Sequence, residues 1–307
     1  MSSDRLRPSG SLLRGLGPFL LLAAFASSAM AAPSELPPLV APASSEHHVG
    51  KVIWVELVTP DLAGTKKFYS GLFGWTFRDT PVGPSDYSVA YLDGRPVAGL
   101  FVRPLPAGEQ RQPAWLTFIA VRDVGAAKRT ALEHGAKVVS EPRNHPKRGT
   151  QAILTDPEGA QFAVLASSSG DPSDFLAAPG EWIWASLHAG DVDKTAAFYQ
   201  ALFGYDVFDL ESDDGAEHVI LSSDDYARAG VNALPAASSS LHPHWLNFVR
   251  VVDAGEAAAK VVALGGRVLV EPHLDRHGGK VAVVADPAGA AFGLMEWSET
   301  DTKKEPK

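Results

Sequence analysis

The 307-residue sequence contains no cysteine. Disulfide bonds, thiol catalysis and cysteine-based metal sites are therefore all excluded. Acidic residues outnumber basic ones, 36 against 27, which gives a formal net charge of −9. Nucleic-acid-binding domains need a basic surface, so this acidic balance argues against a nucleic-acid partner. The apolar share of 45% is that of a globular protein and allows each of two domains to bury a core.

Long hydrophobic runs are also scarce, and the clearest one lies near the N-terminus. It covers Gly15–Ala26, follows three arginines and precedes a small-x-small site at Ala29–Ala31. This layout predicts a cleaved export signal over residues 1–31. An uncleaved anchor is the alternative, although 12 residues are too few to span a bilayer core comfortably. We expect a periplasmic or secreted protein without membrane contact after cleavage, and removal of the signal would leave a net charge of about −11.

The rest of the chain is dominated by a stretch that occurs twice, 130 residues apart. Trp54–Trp75 reads WVELVTPDLAGTKKFYSGLFGW, and Trp184–Tyr205 reads WASLHAGDVDKTAAFYQALFGY. The same shift relates DPEGAQF at Asp156–Phe162 to DPAGAAF at Asp286–Phe292. A repeat with no net change of length predicts a duplicated folding unit.

Each copy is itself built from two similar modules. The first opens with a predicted strand at Trp54–Thr59, and Asp61 then caps a helix whose apolar residues recur at helical spacing. Two strands follow, at Tyr87–Leu92 and Pro96–Val102, joined by an Asp-Gly turn. The pattern restarts with a strand at Trp115–Val121. Equivalent helix caps are expected at four positions: Asp61, Asp123, Asp191 and Asp253.

These patterns predict the domain organisation of the whole chain. Composition indicates a Pro-, Ala- and Ser-rich tether after the signal, a second linker between the copies and a charged tail. The predicted bounds are 1–31 for the signal peptide, 32–50 for the tether, 51–166 for the first domain, 167–180 for the linker, 181–298 for the second domain and 299–307 for the tail.

The repeated modules resemble the vicinal oxygen chelate superfamily, which includes glyoxalase I, the bleomycin-resistance proteins and the extradiol dioxygenases. The resemblance covers about residues 51–298 and rests on FYSGLFGW, FYQALFGY and the two DPxGAxF turns. It implies an α+β fold of two tandem glyoxalase-like domains. Each domain would be a pair of βαβββ modules forming an open eight-stranded cup, with the site in the cleft of the cup.

The same resemblance bears on the metal, because catalysis in this family uses a divalent ion. Its metal-dependent members place ligands at the start of the first strand, at the start of the fifth strand and seven residues after the Asp of DPxG. None of the matching side chains here has a lone pair to donate. They are Trp54, Leu116 and Ala163 in the first copy and Trp184, Leu246 and Gly293 in the second. We therefore expect no cofactor at the usual metal position.

Several residues remain as candidates for ligand contact or chemistry in the cups. The tryptophans either fill space or offer a stacking surface to a flat or apolar ligand. Glu56 is a candidate general base if its carboxylate is desolvated and unpaired, and otherwise a strand-end carboxylate bonded to a backbone N–H or an arginine. The predicted ligand-binding residues are Trp54, Glu56, Trp115, Trp184, Ser186, His188, Trp245 and Asn247.

Three functions stay open at this point. The leading hypothesis is an exported protein that binds a small, partly aromatic or apolar molecule without the usual metal. The alternative is a lyase or dioxygenase of the same superfamily, either with a relocated divalent metal at His188, His244 and Glu296 or with Glu56 as a metal-free acid–base. A structural protein with filled cups is the third. Self-association as a homodimer is compatible with all of them.

Overall fold

A computed structural model describes residues 36–82, 85–102, 113–210, 218–234, 241–275 and 278–297. The predicted signal peptide and charged tail lie outside these ranges. No helix within them is long and apolar enough to cross a membrane.

The first half forms one eight-stranded sheet with two helices. Its strand order is β2-β3-β4-β1-β5-β8-β7-β6, so the first strands of the two modules lie side by side at the centre. The elements are β1 (Val52–Thr59), α1 (Leu62–Phe73), β2 (Thr76–Val82), β3 (Ser85–Leu92), β4 (Arg95–Val102), β5 (Ala114–Ala120), α2 (Val124–Glu133), β6 (Lys137–His145), β7 (Gly149–Thr155) and β8 (Gln161–Ser167).

The second half repeats this sheet in the order β10-β11-β12-β9-β13-β16-β15-β14. The predicted α+β fold of two tandem open cups is therefore confirmed. The elements are β9 (Trp182–Ala189), α3 (Val192–Phe203), β10 (Asp206–Asp209), β11 (His218–Ser223), β12 (Tyr226–Ala233), β13 (His244–Val251), α4 (Ala254–Ala263), β14 (Arg267–Leu274), β15 (Lys280–Ala285) and β16 (Ala291–Glu296).

The helix starts follow the sequence prediction, whereas one strand was missed. Asp61 accepts a hydrogen bond from the Gly64 amide, and the other three predicted caps act in the same way. Strand β2 at the sheet edge was not predicted, because its sequence TFRDTPV contains a proline and little apolar alternation. Edge strands tolerate both features, since one side of the strand needs no ladder partner.

The two halves pack against each other through the sheet faces that carry the helices. Helix α1 packs against α4, and α2 packs against α3. Two large apolar clusters result, and each contains residues from both halves. Because successive strand residues point to opposite faces, the other face of each sheet lines a cleft that is separate from this shared core. We call these the first cleft, on sheet β1–β8, and the second cleft, on sheet β9–β16.

The two family-like motifs meet across the halves. Asp156 and Asp286 of the DPxG turns accept hydrogen bonds from Tyr199 and Tyr69 of the opposite half, at 3.1 and 3.4 Å. Burial raises the pKa of both tyrosines and of both aspartates. The conspicuous sequence motifs therefore build the join between the halves and lie outside the clefts.

The segment before the first strand is packed against the first half. Composition predicted a tether there, unable to bury a core, but Leu36 and Leu39 are only 4% and 5% exposed. The amides of Leu39 and Val40 donate to Ser169 Oγ at 3.0 and 3.2 Å. The segment therefore packs on the apolar surface of the first cleft, a contact that its own composition does not indicate.

Candidate functional site

The second cleft contains a cavity of about 440 Å³. One part of its wall is apolar and partly aromatic, formed by Trp184, Phe248, Val281, Val283 and Met295. Trp184 and Phe248 are paired across β9 and β13, so their side chains stand next to each other on the same face. The cavity has the size and the largely apolar lining of a small-molecule site.

A row of polar side chains crosses the same face. His218 pairs with Asn232, Asn232 with His188, and His188 with His244, so four adjacent strands each contribute one residue. Neighbouring strands lie about 4.8 Å apart, which brings these side chains within reach of one another. The rings of His188 and His244 stack with centroids 5.1 Å apart. His218, Asn232 and His188 line the cavity.

Two histidines of this row, His188 and His218, determine what it offers to a ligand. Burial, together with the nearby His244 and His218, lowers the pKa of His188 to about 4. His218 Nδ1 lies 2.7 Å from Asn232 Oδ1, and with the amide in this orientation Nδ1 carries the hydrogen. His218 Nε2 is then an acceptor, and it is buried without a hydrogen-bond partner among the described residues. The row therefore offers an acceptor to a ligand that brings a donor.

Three of the residues predicted from sequence come together in this cleft. Trp184 and His188 line the cavity, and Trp184 Nε1 donates to Ser186 Oγ at 3.1 Å. Sequence reasoning did not select His218, Asn232 or Phe248. The available signal was the concentration of histidines in the second copy, which holds six of the ten in the chain.

Trp115, Trp245 and Asn247, also predicted as ligand contacts, lie on the opposite faces of their sheets, away from the two clefts. Trp115 pairs with Leu57, which points into the shared core, so the two lie on the face opposite to the first cleft. Its Nε1 donates to Tyr69 Oη at 3.1 Å, and Trp245 binds Tyr199 in the same way. Asn247 is 2% exposed and forms hydrogen bonds with Thr117.

In the first cleft, Trp54 and Glu56 face the cup as predicted, but both are engaged by protein groups. Glu56 Oε1 accepts from Tyr87 Oη at 2.7 Å and from Trp54 Nε1 at 3.1 Å. The guanidinium of Arg148 lies over the Trp54 ring, 4.4 Å from its centroid, and Nη1 is 3.9 Å from Glu56 Oε1. Leu36 and Leu39 pack in the same cluster. Glu56 thus has the contacts of a structural carboxylate.

In the second cleft, apolar side chains occupy the position at which the family binds its metal. Phe248 pairs with Gly293, and a Cβ on Gly293 would lie 2.0 Å from Phe248 Cδ1. The phenyl ring therefore fills the place from which a carboxylate side chain would extend. With Trp184 next to Phe248 and Leu246 beside Ser186, the residues present do not fit the family's divalent ion.

The relocated metal site at His188, His244 and Glu296 is not assembled, so that prediction is wrong. Glu296 pairs with Val251, seven positions along β13 from His244, which corresponds to about 23 Å at roughly 3.3 Å per residue. Its two oxygens accept from the backbone amides of Ala254 and Lys280. Across the ranges that the structure describes, no three His, Asp or Glu side chains are grouped to hold a metal ion.

Comparison with known sequences agrees with this fold. The family model of the Glyoxalase/Bleomycin resistance protein/Dioxygenase superfamily matches residues 48–164, and a Glyoxalase-like domain model matches residues 184–295. The chain is 34% identical to "Putative glyoxylase CFP32" of Mycobacterium tuberculosis, over 83% of this chain and 98% of that protein. It is 30% identical to "Anthracycline biosynthesis protein DauV" of Streptomyces sp. (strain C5), over 81% and 94%.

Solved structures with the same fold include a glyoxalase and a dioxygenase. An Mn(II)-bound glyoxalase from Novosphingobium aromaticivorans superposes with a TM-score of 0.57 at 16% identity, covering 81% of this chain and 83% of that one. The 2,2',3-trihydroxybiphenyl 1,2-dioxygenase of Sphingomonas wittichii gives the same TM-score and identity, covering 81% and 91%. At this identity the likeness concerns the fold alone. The family matches and the relatives of similar length lead to one conclusion: the chain belongs to the glyoxalase/bleomycin resistance protein/dioxygenase superfamily, as a member with two tandem domains.

Proposed function

We propose that the second cleft binds a flat, mostly apolar organic molecule that carries hydrogen-bonding groups along one edge. The observation that supports this is the cavity of about 440 Å³ with Trp184 and Phe248 on its wall and the row of His218, Asn232 and His188 beside it. Aromatic walls favour a planar ligand through stacking and area burial. A few polar groups at one side would orient that ligand.

The polar row indicates which chemical groups the ligand would carry on the edge that faces it. A buried acceptor without a partner costs about 1–3 kcal/mol, so a ligand that donates to His218 Nε2 recovers part of that cost. Hydroxyl groups on an aromatic ring are donors of this kind. The Streptomyces relative is named for anthracycline biosynthesis, and anthracyclines are flat, polycyclic and hydroxylated, which supports a ligand of similar shape. In this proposal the family's usual metal takes no part.

Ligand titration of the purified protein tests the proposal. An anthracycline added to the wild-type protein should bind with one site per chain, measured by calorimetry, and should quench tryptophan fluorescence. Trp184→Phe should weaken binding about tenfold, because the larger stacking surface and the bond that holds it are lost. Trp54→Phe is the matched control, since Trp54 occupies the equivalent position beneath residues 36–40 in the other cleft. Equal effects of the two substitutions would contradict the proposal.

A metal-free enzyme acting in the same cleft is the second candidate. It is favoured by the imidazoles of His188 and His218, which border the cavity and are able to accept or donate a proton. Incubation of bound ligand followed by mass spectrometry separates the two functions. A new product that disappears in His188→Gln, with ligand binding retained, would replace the binding proposal by an enzymatic one.

We further propose that the protein is exported and that residues 1–31 are removed. The basic start, the 12-residue apolar run and the small-x-small site support this. The intact mass of protein recovered from the periplasm or medium of its source cells should correspond to a chain that begins at Ala32. Full-length protein confined to the cytoplasm would refute export.

A further inference from the structure

The first cleft contains a buried arginine with unused hydrogen-bonding capacity. Arg148 is 0% exposed, and its Nε donates to the carbonyl oxygen of Pro37 at 2.7 Å. Its Nη1 and Nη2 are buried and donate no hydrogen bond within the described part of the chain. A guanidinium presents five donors in a fixed plane, so one bond leaves most of that fork unused. Glu56, at 3.9 Å, is too far for a hydrogen bond.

A second unsatisfied group lies on the same face. Gln151 Oε1 is buried and has no hydrogen-bond partner among the residues described. Gln151 is two residues before Ile153, which packs against the first cleft, so both side chains leave β7 on the cleft side. Native structures leave few buried polar groups unpaired, and each such group calls for an explanation. Two such unpaired groups in one cleft indicate that the cleft binds a polar group from outside the chain.

The chain segment in the first cleft shows what chemistry the cleft accepts. Leu36 and Leu39 pack in one cluster with Trp54, Tyr87 and Phe118. Between the two leucines, the carbonyl of Pro37 presents an oxygen to Arg148. The cleft thus receives an oxygen acceptor flanked by branched aliphatic groups. A carboxylate with an aliphatic tail has the same arrangement of groups, with a second oxygen and a negative charge in addition.

We propose that the first cleft is a second ligand site, for an aliphatic carboxylate, and that residues 36–40 form a strap that leaves when the ligand binds. The carboxylate would accept from Nη1 and Nη2 of Arg148 in the bidentate geometry that guanidinium groups favour. The Pro37 carbonyl of the strap accepts a hydrogen bond from Nε of Arg148 alone. The site is distinct from the second cleft, where the residue at the position of Arg148 is Gly278.

The strap also sets the apparent affinity. Ligand and strap compete for one surface, so the apparent dissociation constant equals the intrinsic constant divided by the fraction of open molecules. The described contacts of residues 36–40 include the side chains of Leu36, Leu39 and Val40, the two amide bonds to Ser169 Oγ and the Pro37 carbonyl bond. Weakening the leucine contacts should therefore reveal binding that the wild-type chain suppresses.

Octanoate is a suitable probe, with 1-octanol as the neutral probe of the same length. In the mature chain carrying Leu36→Ser and Leu39→Ser, we expect calorimetry to show octanoate binding at least tenfold tighter than in wild type, and tighter than octanol. Adding Arg148→Met together with Glu56→Gln, which keeps the buried charge balanced, should abolish the preference for octanoate. Leu274→Ser, at a leucine that is 71% exposed, is the matched control and should leave octanoate binding unchanged.

Hydrogen exchange on the wild-type protein provides a measurement that needs no variant. Octanoate should accelerate exchange of the Leu39 and Val40 amides, which Ser169 Oγ protects in the closed form. The proposal is wrong if these amides stay protected at saturating octanoate. It is equally wrong if the serine variant, once shown to be folded, binds octanoate no better than octanol.

Discussion

The two clefts are built from equivalent strands, yet the side chains that line them differ in charge and polarity. The first cleft carries Glu56, Tyr87 and Arg148, where the second has Ser186, His218 and Gly278. At the ends of the central strands the first cleft has apolar residues where the second has polar ones. Val58 and Ala114 of the first sheet correspond to His188 and His244 of the second, and Phe101 corresponds to Asn232.

This difference explains why one cleft is filled and the other contains a cavity. A buried guanidinium and carboxylate are costly unless other groups satisfy them, and the strap together with Tyr87 supplies several of those contacts. In the second cleft Ser186 and Gly278 take the places of Glu56 and Arg148, so this cost does not arise there. One fold therefore carries two differently lined clefts, and the difference depends on a few side chains facing each cup.

The largest expected effect comes from breaking the charge balance of the first cleft. Arg148→Met should lower the free energy of unfolding by about 3–5 kcal/mol, because it leaves the Glu56 carboxylate buried without its cation. It also removes the bond to Pro37. Urea denaturation measures the loss. Arg148→Met with Glu56→Gln should recover most of it, and a double variant no more stable than the single one would show that the charge pair is not responsible.

The second cleft should instead respond to pH through His188. Its pKa is about 4 in the folded protein, against 6.5 for an ordinary histidine, so the unfolded chain binds this proton first as pH falls. Stability is therefore fully present above about pH 6.5 and decreases between pH 6.5 and 4. The full loss should be about 3–3.5 kcal/mol, since the pKa falls from 6.5 to about 4 and one pKa unit corresponds to roughly 1.4 kcal/mol.

His188→Gln is the variant that tests this effect. Urea denaturation across the same pH range should show a shallower decline than in wild type, because the substituted side chain does not titrate. Parallel curves for the two proteins would mean that the decline arises from groups other than His188.

A smaller effect on stability is expected at Gly293, which stands where the family's metal-dependent members place a ligand. Gly293→Ala should destabilise the protein by about 1–3 kcal/mol, because the new Cβ overlaps the Phe248 ring. The equivalent residue in the first half is Ala163, which already accommodates a Cβ beside Phe118. Ala163→Gly is the matched control and should cost no more than about 1 kcal/mol. Thermal denaturation distinguishes the two, and a neutral Gly293→Ala would show that Phe248 moves aside freely.

Much of the fold was predictable because its signals are local. The repeat and the four aspartate caps each depend on patterns that can be read directly from the chain, and the structure confirms them. The strand β2 was missed because an edge strand needs no apolar alternation. Local signals thus indicated which elements form and in which order.

The site was less predictable because it depends on register between distant strands. Trp115 resembles Trp54 in sequence, but pairing with Leu57 turns it toward the shared core. The row of His218, Asn232 and His188 appears only when three strands are aligned. Arg148 and Leu39 are even less accessible to sequence reasoning, because their roles arise from a contact between segments more than a hundred residues apart.

The smallest effect compares the acceptors of the two equivalent tryptophans. Ser186→Ala removes the neutral hydrogen bond from Trp184 Nε1, at 3.1 Å, and should cost about 0.5–1.5 kcal/mol in urea denaturation. Glu56→Gln alters an acceptor that also binds Tyr87 and faces Arg148, and hydrogen bonds to charged groups contribute about 1.5–3 kcal/mol. The first cleft should therefore lose more than the second for a change of similar size. If the two substitutions lower the free energy of unfolding equally, the charge in the first cleft does not account for the difference between the clefts.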